Sequence, residues 1–248
     1  MAYDLERINR EQSDSEADPF TEGRYRQFAR HLGRGFTGEV LDVGCNTGRG
    51  GRAFRAAAAR VTVDGAELLN DRIDRIPAGI YRTVYPGLLA DVPAGAGPYD
   101  ALLMGQVIEH VPFAELDDLI GHSARLLARG GRLLLTTPNP HRLRSRGTIL
   151  GGAHVSVHCA VALAQYLTWK GWQIMTVAGS GRLSALIGEK LPLPVYGSYL
   201  LVARKPLTRG STAKPRLADG DRMATGVAPA SRRSEERQRS ASDPSASW

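Results

Sequence analysis

The sequence predicts an α/β fold in which a mostly parallel sheet is covered by helices on both faces. Two observations support this prediction. Short apolar runs alternate with stretches of helical length along most of the chain, and their spacing is that of strand–helix–strand units. The 248 residues, of which 42% are apolar, are enough for one such domain with a substantial core but too few for two full-sized domains.

Seven apolar runs predict strands, and the stretches between several of them predict helices. The predicted strands are residues 39–43, 61–64, 81–84, 99–104, 132–137, 172–177 and 198–203. The predicted helices are residues 20–32, 48–60, 68–76, 113–129 and 161–170. Pro192 and Pro194 interrupt the last connection, which lacks a helix of the length needed to cross the sheet. We therefore expect a Rossmann-like sheet of seven strands whose last strand is antiparallel.

The composition divides the chain into three parts. Residues 1–18 are charged and poor in apolar side chains, which predicts a flexible arm, and residues 19–205 form the predicted domain. Residues 138–157 are a long insert within this domain. Residues 206–248 are rich in Ser, Arg, Pro and Ala, which predicts a disordered tail. Its arginines, between positions 232 and 239, either solvate the tail or dock an anionic partner.

The overall charge and the cysteines exclude several classes of protein. The net charge is +7, but no aromatic residues interleave the arginines, so a nucleic-acid partner is not expected. Cys45 and Cys159 lie far apart and outside any CxxC motif, which argues against a zinc site. No apolar run approaches the length of a spanning helix, so we expect no stable membrane insertion and a cytoplasmic protein. The oligomeric state cannot be read from the sequence.

A glycine-rich turn follows the first predicted strand, in the segment VLDVGCNTG at residues 40–48. Gly44 and Gly48 let the backbone turn tightly and approach a ligand, and Asn46 tolerates left-handed backbone. The spacing differs from that of dinucleotide-binding and P-loop motifs. The carboxylate of Asp42 repels phosphate but suits an ammonium group. S-adenosylmethionine, which carries an amino group and a sulfonium, fits this chemistry.

This segment resembles the first motif of class I S-adenosylmethionine-dependent methyltransferases, with Asn46 in place of the middle glycine. Gly105–Val111 and Leu133–Asn139 resemble the branch that includes ubiquinone-biosynthesis O-methyltransferases and other small-molecule O-methyltransferases. The resemblance covers roughly residues 20–205. It implies S-adenosylmethionine as the cofactor, bound at the carboxyl edge of the sheet.

The resemblance also implies roles for individual residues around the cofactor. Asp64 is expected to accept hydrogen bonds from both ribose hydroxyls, although it also fits the N-cap of the next helix. Asp91 is expected near the adenine amino group, or is an ordinary turn residue. The predicted cofactor-binding residues are Asp42, Gly44, Asn46, Gly48, Asp64, Gly65, Asp91 and Gln106.

Two histidines are the predicted catalytic residues. An oxygen nucleophile benefits from a general base, most often histidine, and His154 in the insert is the first candidate. His110 is the second, unless it is a histidine at a helix start that bonds to backbone. Some relatives bind a divalent metal through a Glu…Glu-His set, but Gln106 stands at its first position, so no metal is predicted.

The same insert carries candidate acceptor-binding residues. Its arginines at positions 142, 144 and 146 either grip a carboxylate, phosphate or sugar hydroxyl or belong to a solvated loop. The predicted function is methyl transfer to a small molecule or glycan, at oxygen. The alternatives are transfer to nitrogen or carbon, or a non-catalytic protein that retains the fold. The stretch 105–108 lacks the Pro-Pro-aromatic motif of nucleic-acid amino-methylases, which disfavours that acceptor.

Overall fold

The computed structural model describes residues 18–143 and 154–206, together with residues 6, 10 and 150. The strands are β1 Gly38–Val43, β2 Val61–Glu67, β3 Val84–Pro86, β4 Tyr99–Gly105, β5 Leu127–Pro138, β6 Gln173–Ser180 and β7 Ser198–Arg204. The α-helices in this part of the chain are α1 Thr21–Leu32, α2 Arg49–Ala57, α3 Asn70–Ile73, α4 Leu116–Leu126, α5 Ala160–Trp169 and α6 Arg182–Ile187.

The strands form one seven-stranded sheet in the order β3-β2-β1-β4-β5-β7-β6. Strands β1 to β5 run parallel to one another. β7 is inserted between β5 and β6 and runs antiparallel to both. The predicted fold class is therefore confirmed, including the antiparallel last strand.

Several elements begin or end at other residues than the sequence predicts. The predicted helix 113–129 stops at Leu126, because the next residues already pair with β4. Gly130, expected to follow the end of a helix, lies inside β5 with φ +74°. β2 continues to Glu67 rather than stopping at Asp64, and this extension changes which acidic residue lies at the sheet edge.

Helices cover both faces of the sheet. Phe28 of α1 and Phe54 of α2 pack with Leu103 against one face, and all three are fully buried. Leu126 of α4 and Leu167 of α5 pack against the other face. Because successive residues of a strand point to opposite faces, the apolar strands fill both layers, and polar groups collect at the ends of the strands.

Most of the predicted arm and tail lies outside the described residues. The chain divides into two units, Met1–Gly210 and Ser211–Trp248, and the whole second unit lies outside them. Residues 144–149 and 151–153 of the insert also lie outside them. None of the helices described has the length and apolar character needed to cross a bilayer.

Candidate functional site

A cleft of about 650 Å³ opens at the carboxyl edge of the parallel strands. The turn after β1, the end of β2, the turn after β4 and the start of α1 contribute to its walls. Five of the predicted site residues line it, namely Gly44, Asn46, Gln106, His110 and His154. Ligands of open α/β sheets bind at this edge, so the cleft is the candidate active site.

The turn after β1 contributes Gly44, Cys45 and Asn46 to the wall of the cleft. Gly44 has φ +69°, and a Cβ at this residue would lie 2.9 Å from Cγ2 of Val107. Asn46 also has left-handed backbone, with φ +51°, and its Oδ1 accepts the N–H of Thr47 at 2.8 Å. Gly48 is the N-cap of α2 with φ +81° and lies outside the lining.

Asp42 lies beneath the wall of the cleft and is fully buried. The hydroxyls of Tyr25 and Tyr81 each donate to its carboxylate at 2.6 Å. Burial raises the pKa of Asp42 to about 7, and the two hydrogen bonds oppose this shift. Tyr25 lines the cleft whereas Asp42 does not, so the phenol of this pair is the group that reaches the cleft wall.

Glu67, at the end of β2, is a lining residue that the sequence analysis did not identify. Its side chain is buried, and its carboxylate accepts the backbone N–H groups of Asn46 at 2.8 Å and Leu69 at 3.1 Å. Arg72 lies 3.7 Å from the same carboxylate. These contacts fix a negative charge beside the glycine-rich turn.

Asp64 lies three residues earlier on β2 and outside the lining of the cleft. It pairs in register with Leu41, well before the end of β1. Its carboxylate accepts two hydrogen bonds from Arg82, at 2.6 and 3.0 Å, and one from the Tyr99 hydroxyl at 2.8 Å. The carboxylate of Asp64 is thus bonded to side chains of neighbouring strands and loops. The N-cap of the next helix is Leu69 and not Asp64.

Gly65 and Asp91 also lie outside the lining. A Cβ at Gly65 would lie 2.7 Å from Sγ of Cys45, so this glycine allows β2 to pass close to the turn after β1. The carboxylate of Asp91 accepts the N–H of Leu88 at 2.8 Å, within a short turn whose residues 87–90 line the cleft. The geometry of Asp91 is that of a turn residue.

Arg24 of α1 brings a cation to the cleft and was also missed by the sequence analysis. It is 8% exposed and lines the cleft. One end of the guanidinium is held by an ion pair with Asp18. Its Nε is buried and has no hydrogen-bond partner within the described part of the chain. Arg24 can therefore receive an anionic group from a ligand.

Gln106 follows β4 and holds an unusual backbone conformation. Its φ is +62°, a left-handed value that is uncommon for a residue other than glycine. Its side-chain Nε2 is buried and has no hydrogen-bond partner among the residues described. Local strain of this kind is frequent at ligand sites, where the surrounding structure holds a donor in place for a ligand.

Glu109, His110 and His154 form a compact group, the Glu-His-His cluster. Each residue offers one atom that could ligate a metal, and these three atoms all lie within 4.8 Å of one another. Both histidines line the cleft, and their rings lie 5.0 Å apart between centroids. Burial raises the pKa of Glu109 to about 7. The Thr137 hydroxyl donates to one carboxylate oxygen at 2.9 Å, whereas the other, Oε1, is buried without a partner in the described residues.

Backbone hydrogen bonds fasten the end of the insert to the turn that carries Glu109. The carbonyl oxygen of Glu109 accepts the N–H groups of Val155 at 2.9 Å and Ser156 at 3.1 Å, which sets His154 beside the turn. His158 has a different role. Its Nε2 lies 2.7 Å from Oγ of Ser156 and 3.1 Å from the carbonyl of Ile108, outside the lining, so it joins the same two segments structurally.

Arg142 is the arginine of the insert that falls within the described residues, and it does not reach the cleft. Arg142 lies outside its lining, with its guanidinium beside Gly197. The next residue, Leu143, donates its N–H to the carbonyl of Pro194 at 2.7 Å. The other two predicted acceptor-binding arginines, Arg144 and Arg146, lie outside the described residues.

One family model matches the chain. It is the model of the methyltransferase domain, and it covers residues 17–177. This span includes the glycine-rich turn, Glu67 and the Glu-His-His cluster. No curated protein sequence matches significantly.

Solved structures share the fold at low sequence identity. A SAM-dependent methyltransferase from Archaeoglobus fulgidus has a TM-score of 0.53 and 16% identity, over 74% of this chain and 92% of that one. Magnesium protoporphyrin IX methyltransferase from Synechocystis PCC 6803 with bound SAH has a TM-score of 0.55 and 19% identity, over 81% of this chain and 94% of that one. The 1,6-didemethyltoxoflavin-N1-methyltransferase of Burkholderia thailandensis has a TM-score of 0.55 and 17% identity, over 78% of this chain and 81% of that one.

Proposed function

The chain belongs to the methyltransferase domain family, and we propose that it transfers the methyl group of S-adenosylmethionine to an oxygen atom of a small molecule. S-adenosylmethionine is the methyl donor, and structural neighbours are seen with it or with its product bound. One observation carries the proposal. A single cleft holds both the glycine-rich turn with Glu67 and the Glu-His-His cluster.

We assign the ribose of the cofactor to Glu67 rather than to Asp64. The Glu67 carboxylate lies in the lining of the cleft at the end of β2, whereas that of Asp64 is taken up by Arg82 and Tyr99. A carboxylate at the end of the second strand is the group that accepts ribose hydroxyls in this type of sheet. Gly44 and Asn46 allow the cofactor to approach the backbone, and Gln106 offers an amide donor beside them.

The amino-acid end of the cofactor has two charged groups that require partners. Arg24 suits the carboxylate, because its buried Nε has no hydrogen-bond partner within residues 18–143 and 154–206. The hydrogen-bonded pair of Tyr25 and Asp42 suits the ammonium group, since a cation beside the phenol oxygen would favour the ionised form of Asp42 behind it. Asp42, Gly48 and Gly65 then support the site from outside the lining.

His154 and His110 are proposed to help the acceptor hydroxyl lose its proton. Both line the cleft in which the cofactor is proposed to bind. A hydroxyl is a weak nucleophile until its proton leaves, which favours oxygen as the acceptor atom for a site that brings two imidazoles and a carboxylate together. The acceptor, a small molecule or a glycan, is proposed to bind beside His154, the described residue of the insert that lines the cleft.

The cofactor half of the proposal is tested by calorimetry. Titration of the full chain with S-adenosylhomocysteine is expected to show one site per chain. His154→Ala is expected to bind this product with unchanged affinity and to lose turnover. His122→Ala, a control at another histidine that lines the cleft, is expected to keep both properties. Absence of binding by the wild-type chain would overturn the proposal.

The acceptor half is tested with matched acceptors. The enzyme is incubated with methyl-labelled S-adenosylmethionine and pairs of compounds that differ only in a hydroxyl or an amino group at one position. Mass spectrometry then identifies the methylated atom. Label on hydroxyl compounds is the expected result. Label confined to the amino members would contradict the assignment to oxygen and leave the cofactor site intact.

A further inference from the structure

We propose that the Glu-His-His cluster is a binding site for one divalent transition-metal ion, held by Glu109, His110 and His154. The sequence predicts no metal, because Gln106 stands where a carboxylate is expected. The three-dimensional arrangement supplies a third ligand from another place in the chain. His154 is 44 positions away from His110, yet a ligand atom of each lies within 4.8 Å of the other and of a Glu109 oxygen.

The strongest argument comes from the carboxylate of Glu109. The side chain is 1% exposed, and its Oε2 accepts the Thr137 hydroxyl at 2.9 Å. Its Oε1 is buried and lacks a hydrogen-bond partner in the described residues. A buried carboxylate oxygen without a partner is costly, and a cation bound to it would remove that cost. Thr137 orients the ligand, as groups behind metal ligands commonly do.

The backbone keeps the three ligands in place without help from a metal. Glu109 and His110 are neighbours in the short 3₁₀ turn Ile108–His110 after β4. The carbonyl of Glu109 accepts N–H groups of the two residues that follow His154, at 2.9 and 3.1 Å. The third ligand is therefore tied to the same peptide group as the first. A site that is fixed in this way needs little rearrangement on binding.

The donor set indicates which ion would bind. Two imidazoles and one carboxylate suit Zn²⁺, Co²⁺ or Mn²⁺, whereas Mg²⁺ and Ca²⁺ prefer oxygen ligands alone. Three protein ligands beside a cleft are typical of catalytic sites, because further coordination positions remain for water or substrate. The ion would act as a Lewis acid on the acceptor, which rests on the proposed function.

The methyl transfer balances without any change in the oxidation state of the ion. The acceptor hydroxyl loses its proton to solvent, its oxygen forms a bond to the methyl carbon, and the carbon–sulfur bond breaks with its electron pair going to sulfur. The products are the methyl ether, S-adenosylhomocysteine and one proton. The cation would stabilise the negative charge on oxygen, so the two imidazoles would help the hydroxyl to lose its proton as ligands of the ion and not as the groups that accept the proton. No further reactant is needed.

Cobalt provides a direct readout of the site. The untagged full chain, freed of metal with a chelator, is titrated with Co²⁺, and visible absorption is recorded. We expect one equivalent to bind with the absorption bands of Co²⁺ at nitrogen ligands, and Zn²⁺ to displace it. His110→Ala, His154→Ala and Glu109→Gln are each expected to weaken Co²⁺ binding by at least about tenfold. His122→Ala is the matched control and is expected to bind as the wild type does.

S-adenosylhomocysteine affinity is measured on the same samples, which separates this proposal from the proposed function. Binding of the product by all variants, together with loss of Co²⁺ only in the three cluster variants, supports the metal site. Absence of Co²⁺ binding in a wild-type chain that binds the product would overturn the metal site alone. Unchanged Co²⁺ binding in His154→Ala would also overturn it.

Discussion

The carboxylate of Glu67 accepts the backbone N–H of Asn46 at 2.8 Å, which joins the end of β2 to the glycine-rich turn after β1. A second oxygen of the same carboxylate accepts the N–H of Leu69 at 3.1 Å. The two backbone donors hold Glu67 at the wall of the cleft. Asp64, on the same strand, points instead to Arg82 and Tyr99.

Replacement of these two acidic residues should have opposite consequences. We predict that Glu67→Gln weakens S-adenosylhomocysteine binding by at least about tenfold, because it removes a charged acceptor from the ribose. Asp64→Asn should keep that affinity but lower the free energy of unfolding by on the order of 1 kcal/mol, because it weakens the hydrogen-bonded ion pair between the buried Asp64 carboxylate and the half-exposed Arg82. Calorimetry and urea unfolding measure the two quantities. The assignment fails if Asp64→Asn is the variant that loses affinity in its folded state.

Glu67, and not Asp64, lies at the end of β2 because this strand is three residues longer than its apolar run predicts. Asp64 is the first acidic residue after that run, but Gly65 and Ala66 can both continue a buried strand. The structure carries β2 on to Glu67, with Ala66 paired to Val43 at the end of β1. Counting the register from the glycine-rich turn would have identified the acid that lies level with it.

The order of strands was easier to predict than the side chains that meet at the site. Apolar runs and their spacing fix which strands are parallel, because each crossover needs a helix. Arg24 and His154 come from segments far from the glycine-rich turn in sequence, and only the packing of α1 and the backbone bonds of Glu109 bring them to the cleft. Such distant contacts leave no local pattern in the sequence.

Gly44 allows a test of close approach between backbone and cofactor. Gly44→Ala should lower the free energy of unfolding by about 1 kcal/mol, because its φ is +69°, and should also reduce cofactor affinity. The matched control is Gly79→Ala, which has a similar φ of +82° but open space around its Cβ and lies outside the cleft. It should keep its affinity and be destabilised by about 1 kcal/mol through its φ alone, somewhat less than Gly44→Ala, whose Cβ also meets Cγ2 of Val107. Equal loss of affinity in both would indicate a general effect of strain.

Arg24 is tested with a ligand that lacks the group it is proposed to bind. Arg24→Gln should weaken binding of S-adenosylmethionine by about tenfold, because a charged hydrogen bond to the carboxylate is lost. Binding of decarboxylated S-adenosylmethionine, which lacks only that carboxylate, should be the same for the variant and the wild type. Calorimetry with both ligands gives the comparison. A similar loss with the two ligands would mean that Arg24 shapes the cleft without contacting the carboxylate.

Asp42 should make the stability of the protein depend on pH. Burial raises its pKa in the folded state to about 7, from an ordinary value of 3.8. The folded protein therefore holds a proton that the unfolded chain has released, and stability falls as pH rises between these two values and is then constant. This direction is opposite to that of a carboxylate stabilised by an ion pair, because here burial disfavours the charged form.

The measurement compares wild type and Asp42→Asn in urea unfolding between pH 5 and 8. Asparagine retains hydrogen bonds with Tyr25 and Tyr81 but cannot ionise. The free energy of unfolding of the wild type, relative to the variant, should fall by on the order of 2 kcal/mol over this range. A difference that does not change with pH would mean that Asp42 is already ionised at pH 5. In that case the two tyrosine hydroxyls would donate to a full negative charge in the free protein. The same charge would then be in place before the ammonium group of the cofactor binds.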